Sequence, residues 1–502
     1  MKKATSLLLA ILLIALTLFS CGDASQLAER PSESESTIES DSETDTQADS
    51  SSADSSSEAS DESESESAQQ SETDIADSST SDEGETDNKD TEIDFQTPVS
   101  DEMLRHFAPN TLTAAKLRNM EFYYRNFYIG DLPETELLIS QTKALFDEYF
   151  SETIDKTDET ALTDAVLTCY QFATGDKYAV YLDKEAYEDY QTDYDAEFIG
   201  IGVYVSYNSM QETVQVLSVF KDSPAAKAGI LPGDYMISVD GNSLEDIGYY
   251  DFVNRIRGEA GTPVTVTVLR GNQQIDFSMV RMPLTGVSVT YRLLEQDAEI
   301  GYVKIEQFDS KTFEQFKEAV DSLITAGAKG LVFDLRGNPG GELNAIISVL
   351  DYLLPDGNAI AHIRYAPKTQ MPSQAIIAGD GHFVNLPMTV LCDGYTASAG
   401  ELFTAALRDY EVATIIGVTT YGKGTMQSVL DFGDGSAYTI SIARYDPPFG
   451  ANYEGIGVIP DIIEELSEEA ASVNAFLRDD LDDNQLQKAV AEIVRLRQPV
   501  LQ

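Results

Sequence analysis

Tryptophan is absent from this 502-residue chain, and cysteine and histidine occur only three times each. Three cysteines cannot knit a disulfide-rich scaffold, and cysteine and histidine are too sparse for a Cys/His zinc module. No HExxH pattern occurs, so neither a catalytic metal nor another cofactor is expected. Basic residues are also scarce, 33 Lys+Arg against 86 Asp+Glu, for a formal charge of −53. A chain this acidic lacks the basic face that a phosphate backbone demands, which excludes a nucleic-acid partner. At about 100–200 residues per domain, the length predicts two to four domains.

The acidity is unevenly spread. Residues 21–100 hold 25 acids and 2 bases, whereas residues 101–502 hold 61 and 29. Ahead of the acidic stretch, Lys2 and Lys3 precede an apolar run over residues 7–19 that ends before Ser20-Cys21. A charged start, a short apolar core and a small residue before the cut describe a secretory signal over residues 1–20. The run is too short for a comfortable transmembrane helix, which needs about 20 apolar residues. Cys21 stands where a lipoprotein signal places its lipidated cysteine, so the expected location is extracytoplasmic, with a lipid anchor in a bacterial cell membrane. Residues 21–99 are Ser, Asp, Glu and Thr with scarcely an apolar side chain. Such a stretch cannot offset its ordering entropy, and it is expected to be a disordered, charge-extended spacer.

The body predicts a multidomain α/β protein. Leu117, Met120, Tyr124 and Phe127 recur at helical spacing, as do Leu137, Leu138, Gln141, Leu145 and Tyr149 after Pro133. These place a helical module at 100–193. A strand period follows, clearest in Val264-Thr265-Val266-Thr267-Val268. Before it come Phe198-Ile199-Gly200-Ile201-Gly202, Ser223-Pro224-Ala225-Ala226-Lys227-Ala228-Gly229-Ile230, and Pro232-Gly233-Asp234. As an ordered set these resemble a PDZ domain, assigned to 194–284. The resemblance makes Phe198, Ile199, Gly200, Ile201 and Gly202 the loop that holds a peptide's terminal carboxylate, the peptide then adding as a strand.

Three segments carry the chemistry of residues 285–465. Gly330-Leu331-Val332-Phe333-Asp334-Leu335-Arg336-Gly337-Asn338-Pro339-Gly340-Gly341 is an apolar strand entering a glycine loop. In Thr389-Val390-Leu391-Cys392-Asp393-Gly394-Tyr395-Thr396-Ala397-Ser398-Ala399-Gly400-Glu401 a second strand turns into a helix. Ser398 then sits at that helix's N-terminus, where unpaired amides favour developing negative charge. The third segment, Gly417-Val418-Thr419-Thr420-Tyr421-Gly422-Lys423-Gly424-Thr425-Met426-Gln427, imitates a phosphate loop. Gly424 stands where that loop needs Ser or Thr, and strand follows rather than helix.

In this order and spacing, Asp-Leu-Arg-x-Asn-Pro-Gly-Gly, Thr-Ala-Ser-Ala and Gly-Lys-Gly-x-x-Gln resemble the carboxyl-terminal processing peptidase family of bacteria and plastids. The resemblance extends to Asp483-Asn484-Gln485-Leu486 at the start of the closing helical segment, 466–502. It implies a ClpP/crotonase-like α/β peptidase domain at 285–465 and a serine endopeptidase acting near protein tails. Ser398 is then the nucleophile, Lys423 the general base and Gln427 the residue that orients the lysine. The oxyanion hole comes from Ala399 and the Gly340-Gly341 pair. The implied partners are proteins with exposed or unfolded C-termini, and a homodimer is permitted.

Elementary chemistry agrees with these roles. A serine hydroxyl needs a neighbour to take its proton, and none of His106, His362 and His382 lies in the three segments. A Ser-His-Asp triad through His362 or His382 is the weaker option. Lysine serves as a base only when neutral, which burial can bring about. A buried acid beside Lys423 defeats that, so none is expected, and Glu401 is expected to face away. Cys169 and Cys392 read as unbridged core residues. The alternative from another class is a PDZ adaptor whose peptidase domain is inactive; intact Ser398, Lys423 and Gln427 speak against it.

Overall fold

Helical and strand periods partition the chain much as the pattern of apolar residues requires. The computed structural model describes residues 111–498, apart from Lys156, Met210 and Asp380. The expected signal, Cys21, the acidic stretch and His106 lie outside the described residues.

Helices α1 (Thr111–Phe127), α2 (Thr135–Tyr149) and α3 (Glu159–Ala173) pack Leu117, Met120, Tyr124, Leu138, Phe146, Val166 and Tyr170 into one cluster. Asp158 caps α3, accepting from the Thr160 and Ala161 amides. In α2 the buried stripe is Leu138, Thr142 and Phe146, while Leu137 is 52% exposed. Of the predicted stripe Leu137, Leu138, Gln141, Leu145 and Tyr149, only Leu138 is buried, so the face is rotated by about one position. The cluster is completed by Tyr438 and Ile440 from a distant strand, so these helices share a core with the peptidase domain. Strand β1 (Tyr181–Leu182) and helix α4 (Lys184–Asp195) lead onward.

Next comes an antiparallel domain. Strand β2 (Glu197–Gly200) is followed by β3 (Val203–Asn208), β4 (Thr213–Val219), α5 (Pro224–Ala228), β5 (Tyr235–Val239) and β6 (Asn242–Ser243). Helix α6 (Leu244–Ile256), β7 (Pro263–Arg270), β8 (Gln273–Val280) and β9 (Met282–Thr285) complete it. The sheet runs β3-β4-β5-β7-β8, with β6 beside β5 and β3 at one edge; β2 pairs with β9. Val264, Val266 and Val268 are buried, as their alternation predicts. Gly202 has φ +83°, and a Cβ there would lie 2.4 Å from Ser223 Cβ, so glycine is required where this loop crosses α5.

The last domain contains β10 (Val289–Leu294), β11 (Asp297–Ile305), α7 (Thr312–Thr325), β12 (Gly330–Asp334), α8 (Leu343–Leu353), β13 (Ala359–Tyr365), β14 (Gln374–Ile377) and β15 (Met388–Cys392). It continues with α9 (Ala399–Asp409), β16 (Ala413–Gly417), β17 (Thr425–Asp431), β18 (Ala437–Asp446), β19 (Ile462–Ile463), α10 (Glu468–Ala471) and α11 (Asn484–Arg497). Its main sheet is ordered β10-β11-β12-β15-β16-β19, parallel throughout except for β10. Every residue of β12 and β15 is buried, as in a sheet covered on both faces. Helices α7, α8 and α9 cover one face. On the other, α11 packs Leu486, Ala489 and Ile493 against Val332, Leu391 and Ile416. The apolar stripe of α11 is thus buried within the chain. Parallel sheets bind ligands beyond the carboxyl ends of their strands, and all three motif segments leave the sheet there, after β12, β15 and β16.

Candidate active site

Ser398 sits between β15 and α9 with φ +53° and ψ −116°, a strained conformation for a residue with a side chain. Its surroundings over-determine it. Its amide donates to Glu401 Oε2 at 2.9 Å, and its carbonyl accepts from the Glu401 and Leu402 amides. Asp393 Oδ1 accepts from the amides of Gly337, Tyr395 and Thr396, each at 3.0 Å, tying the glycine loop to the serine loop. Asn338, fully buried, donates to the Ile305 carbonyl, and its own carbonyl accepts from the Ala397 amide. A Cβ on Gly400 would meet Thr396 Cγ2 at 3.2 Å and Asn338 Oδ1 at 3.3 Å, so space is tight at this position.

The glycine pair lies against the serine. A Cβ on Gly340 would stand 2.6 Å from Ser398 Cβ, and one on Gly341 would stand 1.9 Å from the Phe308 carbonyl oxygen. Their amides differ. That of Gly340 donates to Asn338 Oδ1 at 2.8 Å, whereas the Gly341 and Ala399 amides have no acceptor among the described residues. Two unspent N–H groups therefore flank Ser398.

Lys423 is 8% exposed, and every backbone polar group of Gly422, Lys423 and Gly424 is paired. Glu401 accepts from the Gly422 and Lys423 amides, each at 2.7 Å, and from the Thr420 hydroxyl. The Gly422 carbonyl accepts from the Gly455 amide and the Tyr178 hydroxyl. The Lys423 carbonyl accepts from the Tyr445 hydroxyl at 3.0 Å, and the Gly424 amide donates to Glu454 Oε2 at 2.8 Å. The Gly424 carbonyl accepts from the Tyr445 amide and from Asn452.

Burial pushes the Lys423 amine down to about 8, against the opposing fields of Asp176, Glu454 and Glu401. This corrects the expectation that no acid stands beside the lysine and that Glu401 faces away. Glu401 is fully buried and faces the lysine turn, because its carboxylate is spent on three backbone amides and a hydroxyl rather than on the amine. Among the described residues no carboxylate forms an ion pair with the Lys423 ammonium. The amine lies 5.2 Å from the centre of the Tyr178 ring.

Gln427 donates to Ser441 Oγ and Thr425 Oγ1, each at 3.2 Å, and makes no hydrogen bond to Lys423. Ser441 in turn donates its hydroxyl and amide to Asp176 at 2.8 Å. Tyr445, fully enclosed, places its hydroxyl 2.8 Å from Ser398 Oγ. One cavity of about 610 Å³ is lined by Ser398, Ala399, Lys423, Gln427, Gly340 and Gly341 together with Asp176, Tyr178 and Tyr445. The fold therefore brings together all six peptidase-site residues read from the motifs. Sequence reasoning missed Asp176, Tyr178, Tyr445 and Glu454. For Glu401, the spacing Ser-x-x-Glu at a helix start was a usable capping-box signal.

Residues 299–464 match the profile of peptidase family S41, and residues 215–270 that of a PDZ domain. The carboxy-terminal-processing protease of Bartonella bacilliformis is 35% identical over 297 residues, 58% of this chain and 67% of that one. The carboxy-terminal processing protease CtpA of Bacillus subtilis is 32% identical over 326 residues, covering 65% and 68% of the two chains. The chain belongs to the S41 family of carboxy-terminal processing proteases. A Bacteroides fragilis protein assigned to the S41 proteases shares the fold, with TM-score 0.53 and 16% identity over 76% of this chain and 97% of its own.

His362, His382, Cys169 and Cys392 of this S41 peptidase do not line the cavity. His362 lies on β13, and His382 stacks on Tyr352 with ring centres 3.8 Å apart. Neither reaches Ser398, which removes the histidine triad. Cys169 and Cys392 are buried and unbridged. Among the described residues no group of three or more His, Cys, Asp or Glu side chains could hold a metal ion.

In the PDZ domain, Phe198, Ile199 and Gly200 form a strand against Met282, Pro283 and Leu284, so only Ile201 and Gly202 of the five residues are loop. Their amides have no acceptor among the described residues, while their carbonyls accept from Ala225 and Phe220. Tyr207 of β3 and Tyr249 of α6 stack with centres 4.4 Å apart, bridging these two elements.

Proposed function

We propose that this serine endopeptidase is an extracytoplasmic, Cys21-anchored tail-processing enzyme in which Ser398 and Lys423 form the catalytic dyad and the PDZ domain captures the substrate's C-terminus. The observation that carries the dyad is a buried amine, paired with no carboxylate among the described residues, sharing a cavity with a serine held in a strained turn. Neutral Lys423 takes the Ser398 proton as Oγ bonds to the scissile carbonyl carbon. The oxyanion that forms is met by the Ala399 and Gly341 amides, the two without internal acceptors. As the C–N bond breaks, the lysine ammonium returns the proton to the leaving amine. Water, deprotonated by the same lysine, then attacks the ester and frees Ser398. Gln427 acts at a distance in this scheme, through Ser441 and the Asp176 carboxylate facing the lysine.

Capture rests on the Ile201 and Gly202 amides, which have no acceptor among the described residues, and on β3, which has no strand partner on its outer edge among them. The excess of acids over bases in residues 101–502 favours neutral or basic tails. The dyad is tested by turnover of unfolded casein by the wild type, Ser398→Ala and Lys423→Ala. Equal rates in all three would leave the inactive-adaptor reading standing. Capture is tested by comparing substrates with free and amidated tails; if amidation and deletion of residues 198–202 both leave cleavage unchanged, it does not run through the carboxylate. Anchoring is tested by detergent-phase partition, which Cys21→Ser should abolish.

A further inference from the structure

The base Lys423 is enclosed by a residue from outside the peptidase domain. Tyr178 follows α3 in the N-terminal helical module, 245 positions before the lysine, and its ring centre lies 5.2 Å from the amine. Its hydroxyl stands 2.9 Å from Glu454 Oε1 and 3.2 Å from the Gly422 carbonyl, both acceptors, so one proton is shared between them. Glu454 is the residue that holds the Gly424 amide, and its Oε1 also pairs with Lys177 at 2.8 Å. Two residues earlier, Asp176 is fixed on Ser441, whose carbonyl accepts from Ile129 of the same module. The segment 176–178 is thus fastened at both ends, and Tyr178 lines the same cavity as Lys423, each of the two less than a tenth exposed.

We propose that Tyr178 is a positioning residue for the base: its ring shields the Lys423 amine from water, so that a residue of the helical module completes the peptidase's active site. The inference rests on the reading of Lys423 as general base. The charged and titratable groups around the amine are Asp176 from the module, Glu401 from α9, and Glu454 with its partner Lys177, together with Tyr178 and Tyr445. Apart from the Tyr178 phenol itself, whose loss the Phe variant below controls for, none of these is removed when Tyr178 alone is changed. Opening the wall therefore reports on solvation of the amine. Water returning to the amine restores its preference for the charged form, and a charged lysine cannot take the serine proton.

The test is the pH dependence of kcat/KM for a tail-bearing peptide, measured on the whole enzyme. The wild-type acid limb should lie near pH 8. In Tyr178→Ala, and in Tyr178→Gln, which keeps a hydrogen-bond donor but not the ring, the limb should move up by at least one unit. That is a loss of about tenfold at pH 7 that is recovered at high pH. Tyr178→Phe, which retains the ring, should keep the wild-type limb and stay within about threefold in kcat. Thermal melting identifies which variants fold. A limb that stays put in a folded Ala or Gln variant overturns the proposal, as does an upward shift in the Phe variant. Wild-type turnover by Lys423→Ala would instead overturn the dyad itself, so the two failures are distinguishable.

Discussion

The hydroxyl of Tyr445 lies 2.8 Å from Ser398 Oγ, and the same hydroxyl lies 3.0 Å from the carbonyl oxygen of Lys423. A phenol has one proton and a carbonyl can only accept. With both bonds made, Tyr445 donates to Lys423 and Ser398 donates to Tyr445. The nucleophile's proton in this arrangement points at the phenol, and it must swing to the lysine before attack. Tyr445→Phe leaves the Lys423 carbonyl without this donor and lets Oγ rotate. The expected result is a loss of roughly 1–2 kcal/mol in stability, as for a buried group left unpaired. It should be accompanied by a several-fold fall in kcat with KM unchanged, read by thermal melts and steady-state kinetics.

Glu401 binds the serine turn and the lysine turn with one carboxylate. Glu401→Gln presents an NH₂ group to backbone N–H donors, replacing an acceptor by a donor. The relative placement of Ser398 and Lys423 should loosen, with kcat down at least about tenfold, since small displacements of reacting groups are costly. A wild-type kcat for this variant would show that the shared carboxylate does not set the dyad.

Gly341 offers the unspent amide and has φ +134°. Gly341→Ala drives a Cβ to within 1.9 Å of the Phe308 carbonyl oxygen, so the loop must move. Loss of one oxyanion donor typically lowers kcat by about 10²–10³. That loss, with peptide binding retained in titrations, is expected.

Lysine burial also leaves a mark on stability. The amine's value in the folded protein, about 8, is below the ordinary 10.5. Between these values the unfolded chain binds the proton that the folded one sheds, so stability rises with pH across pH 8 to 10.5. Below pH 8 the folded state carries the full penalty, on the order of 3 kcal/mol. Lys423→Met should therefore melt higher than wild type at pH 7 while losing activity, and the gain should fade above pH 10.5. A variant that melts lower at pH 7 would contradict the desolvation argument.

Much of the fold was legible because burial enforces period. Val264, Val266 and Val268 alternate as a half-buried strand must, and β12 and β15 read as unbroken apolar runs because both their faces are covered. Ser398, Lys423 and the glycine pair were legible through the resemblance of the three ordered motifs to the carboxyl-terminal processing peptidases; taken alone, Gly422-Lys423-Gly424 reads as an idle hairpin. Tyr445 and Tyr178 were not. They are single tyrosines in a strand and a loop, and only the folded chain brings residues 47 and 245 positions apart into contact with the dyad. Glu401 was expected to face away from the lysine, although Ser-x-x-Glu at a helix start sends the glutamate back toward the N-terminal amides.

The central claim is that Ser398 is the nucleophile and Lys423 its base. The most direct measurement is covalent labelling of the intact enzyme with a fluorophosphonate, followed by mass spectrometry of its peptides across pH 6 to 10. The account predicts a single adduct on Ser398, a labelling rate that rises through about pH 8, and a loss of at least about 100-fold in Lys423→Ala. An adduct on another residue, or labelling undiminished without Lys423, would contradict it.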